Sequence, residues 1–416
     1  MRNILSLLRF CSYLRRTRLL SVLDIGSSKI SCMIADLGNS SDEELKVLGF
    51  SVKESHGIQS GVIVDISAAE QAIRFAVHAA ESKAGFLIDS VIINCTCCGM
   101  KSEHVRAEVP IDGDSVRIRD IRRVLSLGLE AAAHDPDRVI IHSLPLVFTL
   151  DGEQDVVDPK DMIGKTLGVE MHVVTATASL LRNLEHCVNR AHLNVERMVA
   201  TPFASGLASL VGDEARLGAA CIDFGSATTT ISIFTNGNFV FAESLSVGGH
   251  NITLDIARGF SISVEEAERV KVVYGSVLFS DLEDKATFHS GEYSCTLLSR
   301  IIRARMEEIL EMVRDRLVIS GFESISKLIF TGGASQLTGF LDVALKILGH
   351  RIRMGCPIGM SGLPDMAKAP AFSTTVGLLI YFQSVGFNDW NFPSYQERLS
   401  DFASDFLYQW FCRIFK

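Results

Sequence analysis

The chain has 416 residues, of which 47% are hydrophobic and 21% are charged. This length and composition are typical of a globular protein with two or more domains, each with its own core. The formal net charge of −9 argues against a protein that binds nucleic acid through clustered Lys and Arg, so we expect no nucleic-acid partner. The ten cysteines do not follow a zinc-ligand spacing, and we expect them to be free thiols.

The N-terminal segment, residues 1–20, is basic and apolar, but Arg9 interrupts the apolar run and no small-residue cleavage site precedes the first predicted strand. Signal-peptide cleavage is therefore doubtful, and we predict a basic N-terminal extension. A disordered arm, a second membrane contact and a misplaced start all stay open.

Two stretches repeat one pattern, VLDIGSSKISCMI from Val22 and CIDFGSATTTISIF from Cys221. In each, a β-rich run reaches an aspartate, Asp24 or Asp223, passes through a small-residue turn and resumes, which predicts two β-hairpins. Such a turn can approach a ligand closely, donate N–H and hydroxyl groups to anionic oxygens, and hold a hydrated Mg²⁺ through the aspartate. A single copy would equally suit an ordinary tight turn. Two copies predict a nucleotide whose phosphates lie between two similar domains.

The region between the hairpins contains IHSLPLVFTLDGE, which predicts two strand-like runs around Pro145, and a helix is expected near residues 120–133. Beyond the second hairpin, LLSRIIRARMEEILEMVRDRL predicts a long amphipathic helix.

A third element, KLIFTGGASQLTGFLDVAL, predicts a buried strand at residues 328–330, a turn at Gly332 and Gly333, and a helix that begins near Gln336. A turn without side chains beside a helix N-terminus can accept a nucleoside with its phosphate near the positive end of the helix dipole. An ordinary strand-to-helix turn has the same pattern.

Residues 369–388 are uncharged but include proline, serine, threonine and glutamine. We therefore predict a buried helix after a loop and not a membrane span.

The last residues, 401–416, predict an amphipathic helix that follows a polar linker. Its apolar stripe is rich in aromatic residues and has basic neighbours, which favours membrane binding over docking on the chain's own domain. The predicted membrane residues are Phe402, Phe406, Leu407, Trp410, Phe411, Arg413, Ile414, Phe415 and Lys416.

Two D-x-G hairpins followed by a T-G-G-A-S turn resemble the phosphate and adenosine motifs of the actin, Hsp70 and sugar kinase superfamily. Finer details resemble one branch, the FtsA family of bacterial cell-division proteins. The motifs that carry this resemblance are GVIVDISAAEQAI at Gly61, CIDFGSATTTISIF at Cys221, VGGHNITLDIARGF at Val247, EEAERVKVVYGSV at Glu265, LIFTGGASQLTGF at Leu328 and PAFSTTVGLLIYF at Pro370.

The resemblance implies an α/β, actin-like ATPase fold, in which two RNase H-like domains flank a nucleotide cleft, with an FtsA-type inserted subdomain called 1C and the C-terminal helix. The implied divisions are 1–20 extension, 21–93 subdomain 1A, 94–168 subdomain 1C, 169–208 subdomain 1A, 209–258 subdomain 2A, 259–321 subdomain 2B, 322–362 subdomain 2A, 363–387 subdomain 1A, 388–400 linker and 401–416 membrane-targeting helix.

The same resemblance implies a site for ATP and Mg²⁺. Its nucleotide-binding residues would be Asp24, Gly26, Ser27, Ser28, Lys29, Asp223, Gly225, Ser226, Thr228, Thr229, Gly248, Gly249, Asn251, Glu268, Lys271, Gly332, Gly333 and Ala334. Asp24 and Asp223 would organise Mg²⁺ through water. Glu268 and Lys271 would reach the ribose and base, although an ordinary surface pair has the same spacing.

The sequence departs from the family pattern at two places. Ser226 and Ala227 add side chains to the second hairpin, where most relatives have more glycine, which weakens the expectation of tight binding. Thr201 stands where superfamily ATPases carry a Gln or Glu that positions the attacking water. A hydroxyl is a poor water orienter or base at neutral pH, so we expect at most slow ATP turnover.

The resemblance further implies an adaptor that polymerises on the cytoplasmic face of the inner membrane at the division site. Its partners would be the C-terminal tail of the tubulin-like division protein FtsZ at subdomain 2B, other copies of itself, an anionic membrane surface and later division proteins. A sugar or acid kinase and a pilus-assembly ATPase of the same superfamily are the alternatives, and the C-terminal helix argues against both.

Overall fold

Two five-stranded mixed sheets with the same strand order form the framework of the structure, a computed structural model that describes residues 19–37, 45–96, 99–133, 135–278, 287–288, 293–349, 351–360 and 362–385. In each sheet, three consecutive antiparallel strands lie beside two strands that run parallel to the first of the three. The repeated order confirms the prediction of two similar domains, and each sheet contains one of the predicted hairpins.

The first sheet carries the first predicted hairpin, β1 and β2. In spatial order its strands are β11 (Asn194–Ala200), β6 (Ser90–Cys95), β1 (Leu19–Ile25), β2 (Lys29–Asp36) and β3 (Lys46–Glu54). Its associated elements are the short hairpin of β4 (Ile58–Gln59) and β5 (Val62–Ile63) and the helices α1 (Ile66–Ala84) and α3 (Ala178–Arg190). Asp65 caps α1 by accepting hydrogen bonds from the backbone N–H groups of Ser67 and Ala68. Strands β1 and β2 are buried along almost their whole length, as expected for apolar strands covered on both faces.

The second sheet carries the second predicted hairpin, β12 and β13. Its strands are β14 (Asn238–Leu245), β13 (Thr229–Thr235), β12 (Ala219–Phe224), β17 (Lys327–Thr331) and β18 (Arg351–Met354). Further elements of this half are α5 (Gly212–Leu217), α6 (Gly249–Phe260), α7 (Val264–Tyr274), β15 (Thr287–Phe288), β16 (Tyr293–Ser294), α8 (Cys295–Ile319) and α9 (Phe340–Leu348). The predicted long amphipathic helix is α8, and its apolar stripe packs into the core of this half.

A separate four-stranded sheet is inserted between β6 and β11. Its order is β7 (Lys101–Pro110), β10 (Thr166–Thr177), β8 (Arg138–Leu150) and β9 (Glu153–Val156), and α2 (Ile118–Ala132) packs on it. This α+β unit matches the predicted inserted subdomain in kind. The predicted end of the insertion, residue 168, falls inside β10, which continues to Thr177.

The prediction of two separate runs around Pro145 was wrong, because β8 is one continuous strand. Pro145 lies opposite Met171 at an irregularity in the β8–β10 register, and β9 pairs with β8 only from Phe148 onward. The strand is thus an edge strand at Pro145, where a missing N–H donor is tolerated.

Two crossing helices, α4 (Thr201–Ser209) and α10 (Ser373–Val385), connect the two halves. The chain passes from the first sheet through α4 towards the second, and after β18 it returns through α10 to pack on β1 and α4. Most of α10 is buried, which confirms the prediction of a buried helix in residues 369–388. No helix among the described residues is long and apolar enough to cross a membrane.

Some predictions lie outside the described residues. These are the N-terminal extension, apart from Leu19 and Leu20 in β1, the linker at 388–400 and the amphipathic helix at 401–416.

Candidate functional site

The turns of the two long hairpins have the same geometry. The Gly26 N–H donates a hydrogen bond to the Lys29 carbonyl (3.0 Å), and the Gly225 N–H donates to the Thr228 carbonyl (2.9 Å). A Cβ at Gly26 would lie 2.8 Å from the Lys29 carbonyl oxygen, and one at Gly225 would lie 2.9 Å from that of Thr228. Only glycine therefore fits these tight turns.

A cavity of about 520 Å³ lies between the two turns and is the candidate site. It brings together all but three of the residues predicted to bind nucleotide. The predicted residues in its wall are Asp24, Gly26, Ser27, Ser28, Lys29, Asp223, Gly225, Ser226, Thr228, Gly249, Glu268, Lys271, Gly332, Gly333 and Ala334. A cavity of this size is typical of a small-molecule site between domains.

The three exceptions, Thr229, Gly248 and Asn251, lie behind the wall. Thr229 is buried and donates its hydroxyl proton to the Val247 carbonyl (2.8 Å), while Asn251 Oδ1 accepts the Gly248 N–H (3.0 Å) at the start of α6. Alternation along β13 turns Thr229 away from the cavity that Thr228 and Thr230 line. These three residues shape the loop before α6 and not the cavity surface.

The two aspartates carry unusual electrostatics. Burial raises the pKa of Asp24, against the opposing effect of the Lys29 ammonium and of hydroxyl donors. Burial likewise raises the pKa of Asp223, to about 6, although Thr374 donates a hydrogen bond to it. Burial lowers the pKa of Lys29, which both aspartates counteract. Two desolvated carboxylates thus share one nearby ammonium, and a cation would improve their charge balance.

Lys29 connects the first hairpin to the chain before α10. Its Nζ donates to the Ala371 carbonyl and lies 3.6 Å from the centroid of the Phe372 ring. These contacts fix the ammonium of Lys29, which lines the cavity together with Asp24.

Lys271 and Glu268 form an internal cluster with α6. Lys271 Nζ donates to the Gly249 carbonyl (3.0 Å), to Thr253 Oγ1 (2.8 Å) and to Glu268 Oε2 (2.7 Å). Both residues line the cavity, but the Lys271 side chain is only 11% exposed, so its ammonium is largely engaged with α6. Glu268 and Lys271 therefore have two roles: they hold α7 against α6, and they form part of the cavity wall.

The glycine turn after β17 approaches the second hairpin closely. Gly332 has a φ of +89°, and a Cβ there would lie 2.4 Å from Asp223 Oδ1. The predicted helix after this turn is present as α9, but it begins at Phe340 after Gly339 and not near Gln336, because residues 333–336 form a 3₁₀ turn. Gly339 has a left-handed conformation, φ +79°, which interrupts a continuous helix at that point.

Sequence reasoning missed several polar residues of the wall, among them Asn94, Thr96 and Thr374. Asn94 Oδ1 accepts the Ile25 N–H (2.7 Å), and its Nδ2 donates to Thr201 Oγ1 (3.2 Å). Thr96 Oγ1 lies 2.9 Å from Thr201 Oγ1. Asn94 follows the apolar run of β6, and a polar residue at the carboxyl end of a parallel strand was the available signal.

The chemical groups of these residues are suited to binding a nucleotide together with Mg²⁺. The tight turns and their hydroxyls supply donors for anionic oxygens, and the paired carboxylates suit a hard cation that retains its waters. Thr230 also lines the cavity, and its Oγ1 is buried without a hydrogen-bond partner among the described residues.

Comparison with known families gives two matches. The model described as "Cell division protein FtsA" matches residues 220–377, and that described as "SHS2 domain inserted in FTSA" matches residues 99–175. The second range coincides with most of the inserted four-stranded sheet.

Whole-chain relatives carry the same description. Cell division protein FtsA of Rhizobium meliloti (strain 1021) is 47% identical over 393 residues, covering 89% of this chain and 88% of the relative. The proteins of the same name from Pseudomonas aeruginosa and Bacillus subtilis (strain 168) are each 31% identical, covering 86% of this chain and 88% and 82% of the respective relative.

Solved structures resemble the fold at low sequence identity. A chain of the PilM–PilN type IV pilus biogenesis complex has a TM-score of 0.65 and 16% identity, with 88% of this chain and 98% of that chain covered. MreB5 of Spiroplasma citri bound to ADP has a TM-score of 0.54 and 13% identity, with 89% and 97% covered. The two five-stranded sheets with the same strand order, together with these similar solved structures, show an actin-like ATPase fold with the SHS2 insertion.

Proposed function

Because the chain belongs to the FtsA family of bacterial cell-division proteins, we propose that it is a nucleotide-dependent adaptor that attaches FtsZ filaments to the membrane. In this proposal it polymerises at the division site, on the cytoplasmic face of the inner membrane, and recruits later division proteins. The observation that carries the proposal is the convergence of two D-x-G hairpins and the T-G-G-A turn on one cavity.

ATP with Mg²⁺ is the proposed ligand of this cavity. Gly26, Ser27 and Ser28 would donate to the phosphates from one half, and Gly225 and Ser226 would donate from the other. Asp24 and Asp223 would contact the waters of Mg²⁺, and Gly332 to Ala334 would border the adenosine. The bound metal would neutralise phosphate charge between the two halves, and this bridging favours a closed arrangement of the domains. MreB5 of Spiroplasma citri, a fold neighbour, is described as bound to ADP and, in another structure, to AMPPNP.

ATP turnover is proposed to be slow. The Thr201 hydroxyl already contacts Asn94 and Thr96, so it is poorly placed to orient a water. Nucleotide would therefore act chiefly as a conformational ligand that favours filament contacts.

Membrane attachment is assigned to the amphipathic segment at residues 401–416, which lies outside the described residues. Its stripe from Phe402 to Phe415 is short, and one modest anchor gives only marginal, reversible binding. Side-by-side copies in a filament would add their affinities, which is why self-assembly and membrane binding belong together in this proposal.

FtsZ is the proposed partner of the region 259–321, which includes α7 and α8. The FtsZ C-terminal tail would dock there, whereas the membrane segment lies at the far end of the chain. Because the two proposed contacts use different residues, one molecule would hold the filament and the lipid at once in this proposal.

The test is co-sedimentation with phosphatidylglycerol-containing vesicles in the presence of ATP, Mg²⁺ and FtsZ. Four proteins are compared: the full chain, a chain that ends at Ser400, Trp410→Glu, and Trp390→Glu as a matched control in the linker. We expect the full chain and the control to pellet with vesicles and to carry FtsZ with them. The truncated chain and Trp410→Glu should stay in the supernatant with FtsZ, because a buried charge in the apolar stripe opposes insertion.

Equal sedimentation of all four proteins would mean that the terminal segment is a docking helix, and the adaptor proposal would fail. Sedimentation of the full chain without FtsZ would keep the membrane role and refute the FtsZ role.

A further inference from the structure

Six consecutive residues, Pro370–Thr375, contact all three motifs of the cavity. The Pro370 carbonyl accepts hydrogen bonds from Thr331 Oγ1 (3.1 Å) and from the Gly332 N–H (3.2 Å), at the glycine turn. The Ala371 carbonyl accepts a hydrogen bond from Lys29 Nζ of the first hairpin. This segment leads directly into α10, so the start of that helix is anchored to every part of the site.

Two threonine hydroxyls of the same segment contact the two aspartates of the cavity. Thr374 Oγ1 donates to Asp223 Oδ2 (3.0 Å), and Thr375 Oγ1 donates to Asp24 Oδ2 (2.9 Å). Ser31 Oγ lies 2.6 Å from Thr375 Oγ1. Ser31 Oγ also lies 3.5 Å from Asp24 Oδ2, to which it is a second hydroxyl donor, so both hydroxyls lie beside the same carboxylate oxygen.

The hydrogen bond between Thr375 and Asp24 is buried, and that between Thr374 and Asp223 is partly buried. The Thr374 residue is 7% exposed and Thr375 is fully buried, while Asp24 is 8% exposed. A hydrogen bond to an ionised carboxylate in such a place is stronger than one between neutral groups and fixes the orientation of the carboxylate.

We propose that Thr374 and Thr375 are positioning residues that orient Asp223 and Asp24 for the Mg²⁺–nucleotide. The inference rests on the proposed nucleotide function and adds a regulatory element to it. Adjacent residues of one helical turn hold the acidic groups of opposite halves, so the first turn of α10 fixes how the two carboxylates face each other. Cleft closure around a ligand and the placement of α10 are then one coupled event.

Mg²⁺ makes this arrangement testable, because it demands near-ideal octahedral geometry and is sensitive to carboxylate orientation. The experiment measures binding of a fluorescent ATP analogue to the full chain as a function of Mg²⁺ concentration. The variants are Thr374→Val and Thr375→Val, which keep the shape and remove the hydroxyl, with Thr374→Ser and Thr375→Ser as hydroxyl-restoring partners. Thr296→Val is the matched control, since Thr296 Oγ1 is buried in α8, outside the cavity wall, and has no hydrogen-bond partner among the described residues.

We expect each valine variant to raise the Mg²⁺ concentration for half-maximal binding about tenfold, the loss expected for a hydrogen bond to a charged group. Binding without Mg²⁺ should change less than about twofold, since the phosphate donors of the hairpins are untouched. The serine variants should recover most of the wild-type Mg²⁺ dependence. In the double valine variant, the combined effect should be smaller than the product of the single effects, because one turn serves both sites.

An unchanged Mg²⁺ dependence in both valine variants, with wild-type nucleotide binding intact, would overturn this inference and leave the proposed function standing. Equal impairment of the serine and valine variants would show that the hydroxyl does not restore the Mg²⁺ dependence, so the effect would come from disturbed packing, and this would also overturn the inference. Absence of nucleotide binding in the wild-type chain would refute the proposed function itself. Should a valine variant fail to fold by circular dichroism, Thr374→Ala and Thr375→Ala replace it, with the same expected increase in Mg²⁺ requirement.

Discussion

At the residue scale, Thr201 occupies the position where the superfamily pattern places a water-orienting Gln or Glu. Its hydroxyl contacts Asn94 Nδ2 and Thr96 Oγ1, and Asn94 in turn accepts the Ile25 N–H at the end of β1. This network connects β1, β6 and α4, so Thr201 stabilises the junction of three elements at the cavity wall. Its role is structural in the first place.

We therefore predict that Thr201→Val lowers the free energy of unfolding by about 1 kcal/mol, because a buried donor loses its partner. ATP turnover, measured as phosphate release at saturating ATP and Mg²⁺, should stay within about twofold of wild type, because no water-orienting group is lost. Asp24→Asn is the comparison variant in which we expect binding to weaken. A tenfold fall in turnover of Thr201→Val at full nucleotide occupancy would instead identify Thr201 as a catalytic residue.

At the element scale, α4 and α10 cross with their backbones in contact. A Cβ at Gly377 would lie 1.8 Å from the Ala204 carbonyl oxygen, so this crossing requires a residue without a side chain. Both helices are almost wholly buried and connect the two sheets. Small residues at such a crossing permit close approach, and small sliding of packed helices is one way in which domains close.

Gly377→Ala should lower the free energy of unfolding by about 3 kcal/mol, the upper range for overpacking, because the obstacle is backbone and not a flexible side chain. The measurement is urea denaturation followed by circular dichroism. Gly212→Ala is the matched control, since nothing lies within 4 Å of a Cβ there, and it should change stability by less than about 1 kcal/mol. Similar stability of the two variants would contradict this prediction, because it would show that α4 and α10 can move apart at Gly377 without a loss of stability.

The elements with local signals were predictable from the sequence. The paired hairpins follow from a repeated D-x-G turn between β-rich runs, and α8 follows from its apolar periodicity. Thr374, Thr375 and Asn94 could not be placed, because their contacts join residues that are far apart in the chain. The continuity of β8 through Pro145 could not be predicted either. A proline is tolerated there because no strand among the described residues pairs with that edge of β8, and strand neighbours cannot be read from one sequence.

At the scale of the whole molecule, the inserted sheet is joined to the second half through the edge strand β14. Ser102 Oγ accepts the Ala242 N–H (3.1 Å), and His104 and His172 contact the carbonyls of Val240 (2.8 Å) and Phe239 (2.9 Å). Side chains of β7 and β10 thereby satisfy backbone groups that an edge strand would otherwise leave unpaired. The insertion consequently contacts both halves, and movement between them must preserve or break these contacts.

His172 makes this junction sensitive to acid. Burial lowers its pKa to about 3, and neighbouring His104 acts in the same direction. In the unfolded chain its pKa is about 6.5. Between these values the unfolded state binds a proton that the folded state does not, so the contribution of His172 to stability is complete above pH 6.5 and is lost as pH falls towards 3.

We predict that the wild-type free energy of unfolding decreases between pH 7.5 and pH 5 by about 2 kcal/mol more than that of His172→Gln, whose amide can still donate to Phe239. The comparison is between variants because Asp223, with a pKa raised to about 6, shifts stability in the opposite direction over part of this range. Urea denaturation at both pH values measures the difference, and His78→Gln, at an exposed position of α1, is the control that should follow wild type. Parallel pH dependence of wild type and His172→Gln would refute this prediction, because it would mean that His172 binds protons equally well in the folded and the unfolded chain.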